Sequence, residues 1–153
     1  MRKLLFTLVA LLVSVTVGFG QDHFVPVWSG NGLNQMNIYV TKATINDVFI
    51  AVGDEIGVFD GDYCVGYAIR PISITGFIEV RVSMDDPLTT GVIDGYTPGN
   101  PITFKIWDQS AGVELMPQVN VTSGSGTFVE GGTAMVELTY VQNRAPVDRK
   151  SVV

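Results

Sequence analysis

Alternation of apolar and polar residues, with a period of two, constrains the fold of this chain more than any other feature of its sequence. Ile78, Val80 and Val82 fall on one side of a segment whose other side carries Glu79 and Arg81. Successive side chains of a β-strand point to opposite faces, so this pattern predicts a strand with one buried face. No window of ten or more residues after residue 20 has helical spacing. The same alternation recurs in residues 36–41, 56–59, 102–107 and 134–140.

Turn-forming residues separate the alternating segments. The pair Asp60-Gly61 predicts a tight turn that joins residues 55–59 to residues 63–69 in a hairpin. The pair Asn46-Asp47 predicts a second hairpin within residues 44–50. Many short strands at regular spacing, separated by turns, are typical of a β-sandwich. The sequence therefore predicts an all-β fold, an antiparallel β-sandwich of about eight short strands.

Residues 1–20 predict a signal peptide that precedes this domain. Arg2 and Lys3 form a positive start, an apolar run of 14 residues follows, and small residues end at Gly20, which predicts cleavage before Gln21. A membrane-spanning helix needs about 18 apolar residues, so the run is short for one, although an uncleaved anchor is the alternative. We therefore expect a protein that is secreted or displayed on the outer cell surface, with no membrane insertion after cleavage.

Charge and composition narrow the classes of partner. The chain is 46% hydrophobic and 16% charged, which is too apolar for an intrinsically disordered protein. Residues 22–147 carry five basic side chains and fourteen carboxylates, a balance of −9. Such an acidic surface repels nucleic acid and anionic lipid, so we expect neither as a partner.

The remaining sequence predicts one module and a downstream connection. Residues 21–141 form the β-sandwich module, and residues 142–147 have the polar, proline-containing character of a linker to a further domain. Residues 148–153 read like the translation of a common sequencing adapter, and a genuine basic tail is the alternative. We expect the natural chain to continue beyond residue 147, with its downstream domains as partners of this module.

Six segments of the chain carry a resemblance to a known family of modules. They are residues 26–31, 36–40, 53–61, 64–66, 94–100 and 104–108. Through them, residues 23–140 resemble the exported bacterial β-sandwich modules of large multidomain surface or secreted proteins. Residues 143–147 resemble the entry into PKD and related immunoglobulin-like repeats. The resemblance implies neighbouring repeats of that kind and a C-terminal secretion-sorting domain, and it implies no enzymatic activity.

Aromatic residues provide the first candidate site. Flat aromatic faces stack on sugar rings, and Trp28, Tyr96 and Trp107 are the residues from which we predict a ligand-binding platform. Trp107 follows Ile106 in an alternating segment, so its side chain is predicted to point away from the core. The alternative is that both tryptophans close the open ends of the sandwich.

Carboxylates provide the second candidate site. Residues 84–100 form a long connection that holds the densest group of acids, and loops of this length are often functional. Ca²⁺ binds six to eight oxygen ligands, so Asp85, Asp86 and Asp94 are a candidate calcium site. Asp60 and Asp62 could also supply two oxygen ligands, and the alternative for this pair is a hairpin turn with solvated carboxylates. No other cofactor is predicted.

Catalysis is not predicted. The single histidine, His23, lies at the expected start of the mature chain, where we expect fraying, and the single cysteine, Cys64, lies in an apolar run that predicts burial. The sequence has no Gly-x-Ser-x-Gly nucleophile motif. We therefore predict a non-catalytic structural or adhesive module. The alternative is a carbohydrate-binding module attached to a secreted hydrolase, with a polysaccharide or a surface protein as partner.

Overall fold

The computed structural model describes residues 22–73 and 76–142, and this part of the chain contains nine strands and no helix. The all-β prediction is confirmed, with one strand more than expected. The predicted signal peptide, residues 148–153 and all of the predicted linker except residue 142 lie outside the described residues. No helix within the described ranges has the length and apolarity to cross a membrane. The strands are β1 Met36–Ile45, β2 Val48–Phe49, β3 Glu55–Asp60, β4 Tyr63–Ile69, β5 Ile78–Val82, β6 Thr103–Asp108, β7 Val113–Leu115, β8 Gln118–Gly124 and β9 Thr133–Tyr140.

The strands form two sheets. The first has the order β2-β1-β9-β8, with β5 also paired to β1, and the second has the order β4-β3-β6-β7. All strand pairs in them are antiparallel except β1 with β9, which run parallel from Asn37↔Thr133 to Ile45↔Tyr140. The antiparallel prediction is wrong for this one pair. Alternation identifies the buried face of a strand, but it carries no information about the direction of its neighbour.

Both predicted hairpins are confirmed. The β1–β2 hairpin closes with Ile45 opposite Val48, and Asn46 and Asp47 adopt φ values of 50° and 64°, as a type I′ turn requires. In the β3–β4 hairpin, Asp60 pairs with Tyr63, so the two central residues are Gly61 and Asp62, one position later than predicted. Gly61 has φ 58°, as expected for glycine at the first central position of a type II′ turn.

Apolar side chains of both sheets pack into one core. Ile38 and Val80 of the first sheet and Ile56, Val58 and Ile106 of the second are fully buried members of the same cluster. These are the apolar positions of the alternating segments, so their burial is confirmed. The half-buried prediction is wrong for β3, since Gly57 and Phe59 on its other face are buried as well. Burial of this surface is the main favourable term in folding.

Residues 22–28 cross the outer face of the second sheet, and we call them the N-terminal strap. Phe24 is 3% exposed and packs with Phe59 and Cys64 in a second, smaller apolar cluster. A Cβ atom placed on Gly57 would lie 2.9 Å from the Phe24 ring, so the ring occupies the space that a side chain at residue 57 would fill. The backbone N–H of Val27 donates to Cys64 O over 2.9 Å. The strap thus gives the second sheet an apolar layer on both faces.

Candidate functional site

Tyr96 belongs to the main core. Its side chain is 0% exposed and stacks on Phe128, with ring centroids 4.8 Å apart and an interplanar angle of 8°. Its hydroxyl donates to the backbone oxygen of Asn34 over 2.7 Å. Burial is the main cause that raises the pKa of Tyr96. The structure therefore places Tyr96 in the interior and not on a platform that could contact a ligand.

Trp107 lies on the outer face of the second sheet, as its position in the alternation predicts. It packs against the second apolar cluster, and the His23 ring stacks on it, with centroids 3.7 Å apart and an interplanar angle of 3°. His23 Nε2 lies 2.8 Å from Glu114 Oε1, and Lys105 Nζ donates to Glu114 Oε2 over 2.8 Å. The hydrogen bonds from Lys105 and His23 lower the pKa of Glu114. The expectation that His23 lies in a frayed segment is wrong, because stacking and hydrogen bonding hold it in place.

A buried carboxylate fixes the strap. Glu55 is 5% exposed, and its two oxygens accept the backbone N–H groups of His23, over 2.8 Å, and Phe24, over 2.9 Å. The Tyr67 hydroxyl donates to the Asp22 carboxylate, and this hydrogen bond is the main cause that raises the pKa of Tyr67 to about 12. Burial of a carboxylate is costly unless its oxygens are hydrogen-bonded, and here both are.

The three predicted calcium ligands hold the loop between β5 and β6 together. Asp94 accepts the backbone N–H of Asp86 over 2.8 Å and the hydroxyl of Thr89 over 2.9 Å. Asp85 in turn accepts the backbone N–H of Asp94 over 2.8 Å. These hydrogen bonds lower the pKa of Asp94, and the bond from the Asp86 N–H has the largest effect. Within residues 22–73 and 76–142, no group of three potential ligands among His, Cys, Asp and Glu is placed to hold a metal ion, so the calcium prediction gains no support.

Trp28 lines two open concavities beside β5. Asn31 also lines both of them. The first, of about 490 Å³, also contains Asp86 and Asp94, so the structure brings the predicted tryptophan and two of the predicted acids together. The second, of about 610 Å³, has further lining residues that the sequence did not indicate. These include Gln35, Glu79 and Arg81.

The walls of these concavities are held by hydrogen bonds. Trp28 Nε1 donates to Val65 O over 2.6 Å, which fixes the plane of the indole. The backbone N–H of Leu33 donates to Ser83 Oγ over 2.8 Å, and this contact attaches the loop of residues 29–35 to the end of β5. At Gly66 the β4 and β5 backbones approach so closely that an added Cβ would lie 2.4 Å from the carbonyl oxygen of Arg81. The concavities are thus formed by parts of the chain that are tied to one another.

Cys64 is a buried free thiol, as the sequence predicts. Burial raises its pKa from the ordinary 9.0 to about 11, and this leaves about a hundredfold less thiolate at pH 8. We expect Ellman's reagent to react at least a hundredfold more slowly with the folded protein than with the protein in concentrated guanidinium chloride. Stopped-flow absorbance would measure both rates, and the rate for the folded protein should keep rising above pH 9.

The Cys64→Ser variant is the control for this measurement, since it should show no reaction under either condition. A folded-state rate that matches the unfolded-state rate would mean that the thiol is accessible. It would also mean that the N-terminal strap does not cover the second apolar cluster.

Comparison with known proteins provides no relative from which a function could be transferred. No protein-family model matches the chain, and neither a curated protein nor a solved structure shows significant similarity to it. Because a fold does not determine a function, the function has to be inferred from the arrangement of these residues.

Proposed function

We propose that this chain is a non-catalytic structural or adhesive β-sandwich module of a larger secreted or cell-surface protein. The shared core of the two sheets supports a sandwich architecture. The leader-like residues 1–20 and the linker-like residues 142–147 support export and a downstream neighbour. The N-terminal strap attaches the first residues of the module to the second sheet.

One observation carries the non-catalytic part of the proposal: the single histidine, the buried glutamate and the single cysteine of the module are engaged in holding the fold. His23 stacks on Trp107, Glu55 accepts two backbone N–H groups, and Cys64 is buried with a raised pKa. A general base or a nucleophile must reach a substrate atom with a free lone pair. These three groups instead stabilise the strap and the sheet beneath it.

A second candidate function is that of a carbohydrate-binding module attached to a secreted hydrolase. The position of Trp28 favours it, because an aromatic ring flanked by two polar concavities is a common arrangement for sugar recognition. This candidate also requires no catalysis by the module itself, so the two candidates differ in partner and not in chemistry.

The proposal is tested by producing the full chain in a secreting bacterial host. We expect the protein in the extracellular or outer-surface fraction, with a mature N-terminus at Gln21 in intact mass spectrometry. We also expect no turnover of chromogenic ester, peptide and glycoside substrates above the background of a Glu55→Gln variant. Cytoplasmic protein that retains residues 1–20, or turnover that this substitution abolishes, would contradict the proposal.

A further inference from the structure

We infer that the two concavities beside Trp28 form one binding site for a neutral polysaccharide chain, with a sugar residue in each concavity. We call this site the Trp28 cleft, and we define it by the lining residues Trp28, Asn31, Gln35, Glu79, Arg81, Asp86 and Asp94. The inference rests on the second candidate function and assigns it a place on the molecule and a class of ligand.

Trp28 offers a ring face and not a hydrogen-bond donor. Its Nε1 atom already donates to Val65 O, so the indole has no further donor for a ligand. The side chain is partly exposed, and it lines the first concavity as well as the second. An apolar ring of fixed orientation, open to solvent beside polar groups, matches the C–H face of a sugar ring.

Planar polar side chains surround this ring. Asn31 and Gln35 offer amides, Glu79 a carboxylate and Arg81 a guanidinium, and each group has at least two hydrogen-bonding atoms in one plane. Gln35 Nε2 already donates one hydrogen bond to the backbone oxygen of Asn31, which leaves its Oε1 and one N–H for a ligand. Pairs of atoms at this spacing suit the neighbouring hydroxyl groups of a sugar. Glu79 and Arg81 are exposed, and neither forms an ion pair with another residue in the described ranges. They are therefore available to a ligand.

The charge of the cleft favours a neutral ligand. Asp86 and Asp94 lie in the first concavity and Glu79 in the second, while Arg81 is the one cation among the lining residues. A uronic-acid polymer would bring its own carboxylates against these three anions, which costs Coulomb energy. A neutral polymer meets no such repulsion and can still accept and donate hydrogen bonds.

The cleft is held in one shape before a ligand arrives. Leu33 is tied to Ser83 by a backbone-to-hydroxyl hydrogen bond, and Met84 N donates to Leu33 O over 2.8 Å. Trp28 is tied to β4 by its indole N–H. A preformed site loses less conformational entropy on binding, so fewer contacts suffice for a measurable affinity.

The experiment measures binding of neutral gluco-, xylo- and manno-oligosaccharides of one to six units to the full chain carrying Trp107→Phe. In this protein Trp28 is the sole tryptophan, so its fluorescence reports on the cleft. We expect one of these series to change the fluorescence, with an affinity that rises from one unit to two, one for each concavity, and then levels off. Oligogalacturonates of the same length should bind more weakly than that series.

Substitutions locate the site. Trp28→Ala should weaken binding about tenfold or more, since it removes the stacking surface; isothermal titration calorimetry measures this loss without tryptophan fluorescence. Trp28→Ala also removes a hydrogen bond to Val65, so it could weaken binding by changing the fold. Arg81→Ala is therefore the second variant. Because Arg81 is exposed, its removal should weaken binding severalfold and leave the melting temperature unchanged. Tyr63→Ala removes an exposed aromatic side chain from the β3–β4 turn and should leave the affinity unchanged.

The possible failures have different meanings. If none of the three neutral series binds, or if oligogalacturonates bind more tightly, the inference is wrong. The proposed adhesive role would still stand if the same protein adheres to cell-surface protein. If a neutral series binds but Trp28→Ala and Arg81→Ala both keep full affinity, carbohydrate binding stands and its assignment to the Trp28 cleft is wrong.

Discussion

Replacing Tyr96 with alanine is expected to lower the free energy of unfolding by about 3–5 kcal/mol, as other large-to-small substitutions of buried aromatic residues do. The side chain is fully buried against Phe128, so its removal leaves a cavity in the main core. Its loss also leaves the backbone oxygen of Asn34 without the hydrogen bond that the hydroxyl donates. Urea unfolding followed by far-ultraviolet circular dichroism measures the change.

Two further variants separate the ring of Tyr96 from its hydroxyl. Tyr96→Phe keeps the stacked ring and loses one hydrogen bond, so we expect a cost of about 1 kcal/mol. Tyr63→Ala removes an exposed tyrosine and should change stability by less than about 0.5 kcal/mol. A stable Tyr96→Ala variant that had lost carbohydrate binding would restore Tyr96 as a ligand-binding residue and would contradict its assignment to the core.

Residue type alone could not predict the place of Tyr96. An exposed tyrosine and a buried one look alike in sequence, and Tyr96 lies outside any alternating segment that would indicate its direction. Its burial depends on Phe128, which is 32 residues later and lies in the connection between β8 and β9. Such a contact is set by the tertiary fold and leaves no local pattern.

Four of the strands that the sequence predicted, β1, β5, β6 and β9, have a buried face beside a more exposed one. In β3, residues 55–59 are all buried, because the N-terminal strap covers its outer face. β5 alternates strictly between buried and exposed residues, and it was found from residues 78–82 alone. β8 has seven exposed residues, and β7 spans three residues without a buried one. β7 is too short to show a period. β8 alternates Val119 and Val121 with polar residues, but both valines are exposed, so this alternation does not mark a core face.

The candidate site was predicted in part. Trp28 was found because exposed aromatic residues are frequent in binding sites, and the orientation of Trp107 followed from alternation. Glu79 and Arg81 are the polar positions of β5, and such positions usually have no role beyond solvation. They became candidates once the structure placed the loop of residues 29–35 beside them.

The order of His23 in the N-terminal strap could not be predicted from the sequence. Residues 22–28 have no alternation and lie at the expected start of the mature protein, a position where disorder is common. The contacts that order them come from Glu55 and Glu114, which are 32 and 91 residues away from His23. A charged residue within a strand is normally expected to be exposed. Glu55 is buried, and nothing in the sequence indicates that burial.

Glu55→Ala is expected to lower the free energy of unfolding by about 3 kcal/mol, because it leaves two backbone N–H groups without the charged acceptor that they share. The strap would then detach from the second sheet and expose Phe24 and Cys64. We therefore expect a second effect, an increase of at least tenfold in the rate at which Ellman's reagent reacts with the folded protein, because Cys64 gains solvent access. Urea unfolding and stopped-flow absorbance measure the two effects on the same sample.

Matched variants show whether the strap is the cause. Glu55→Gln keeps one acceptor oxygen but places an amide N–H₂ against a backbone N–H. We therefore expect its free energy of unfolding to lie between those of the wild type and Glu55→Ala. Glu79→Ala removes an exposed carboxylate from β5 and should change neither stability nor thiol reactivity. If Glu55→Ala lowers stability while the Cys64 thiol stays as protected as in the wild type, the carboxylate stabilises β3 by itself. The strap would then be held in place by the stack of His23 on Trp107 and by the burial of Phe24.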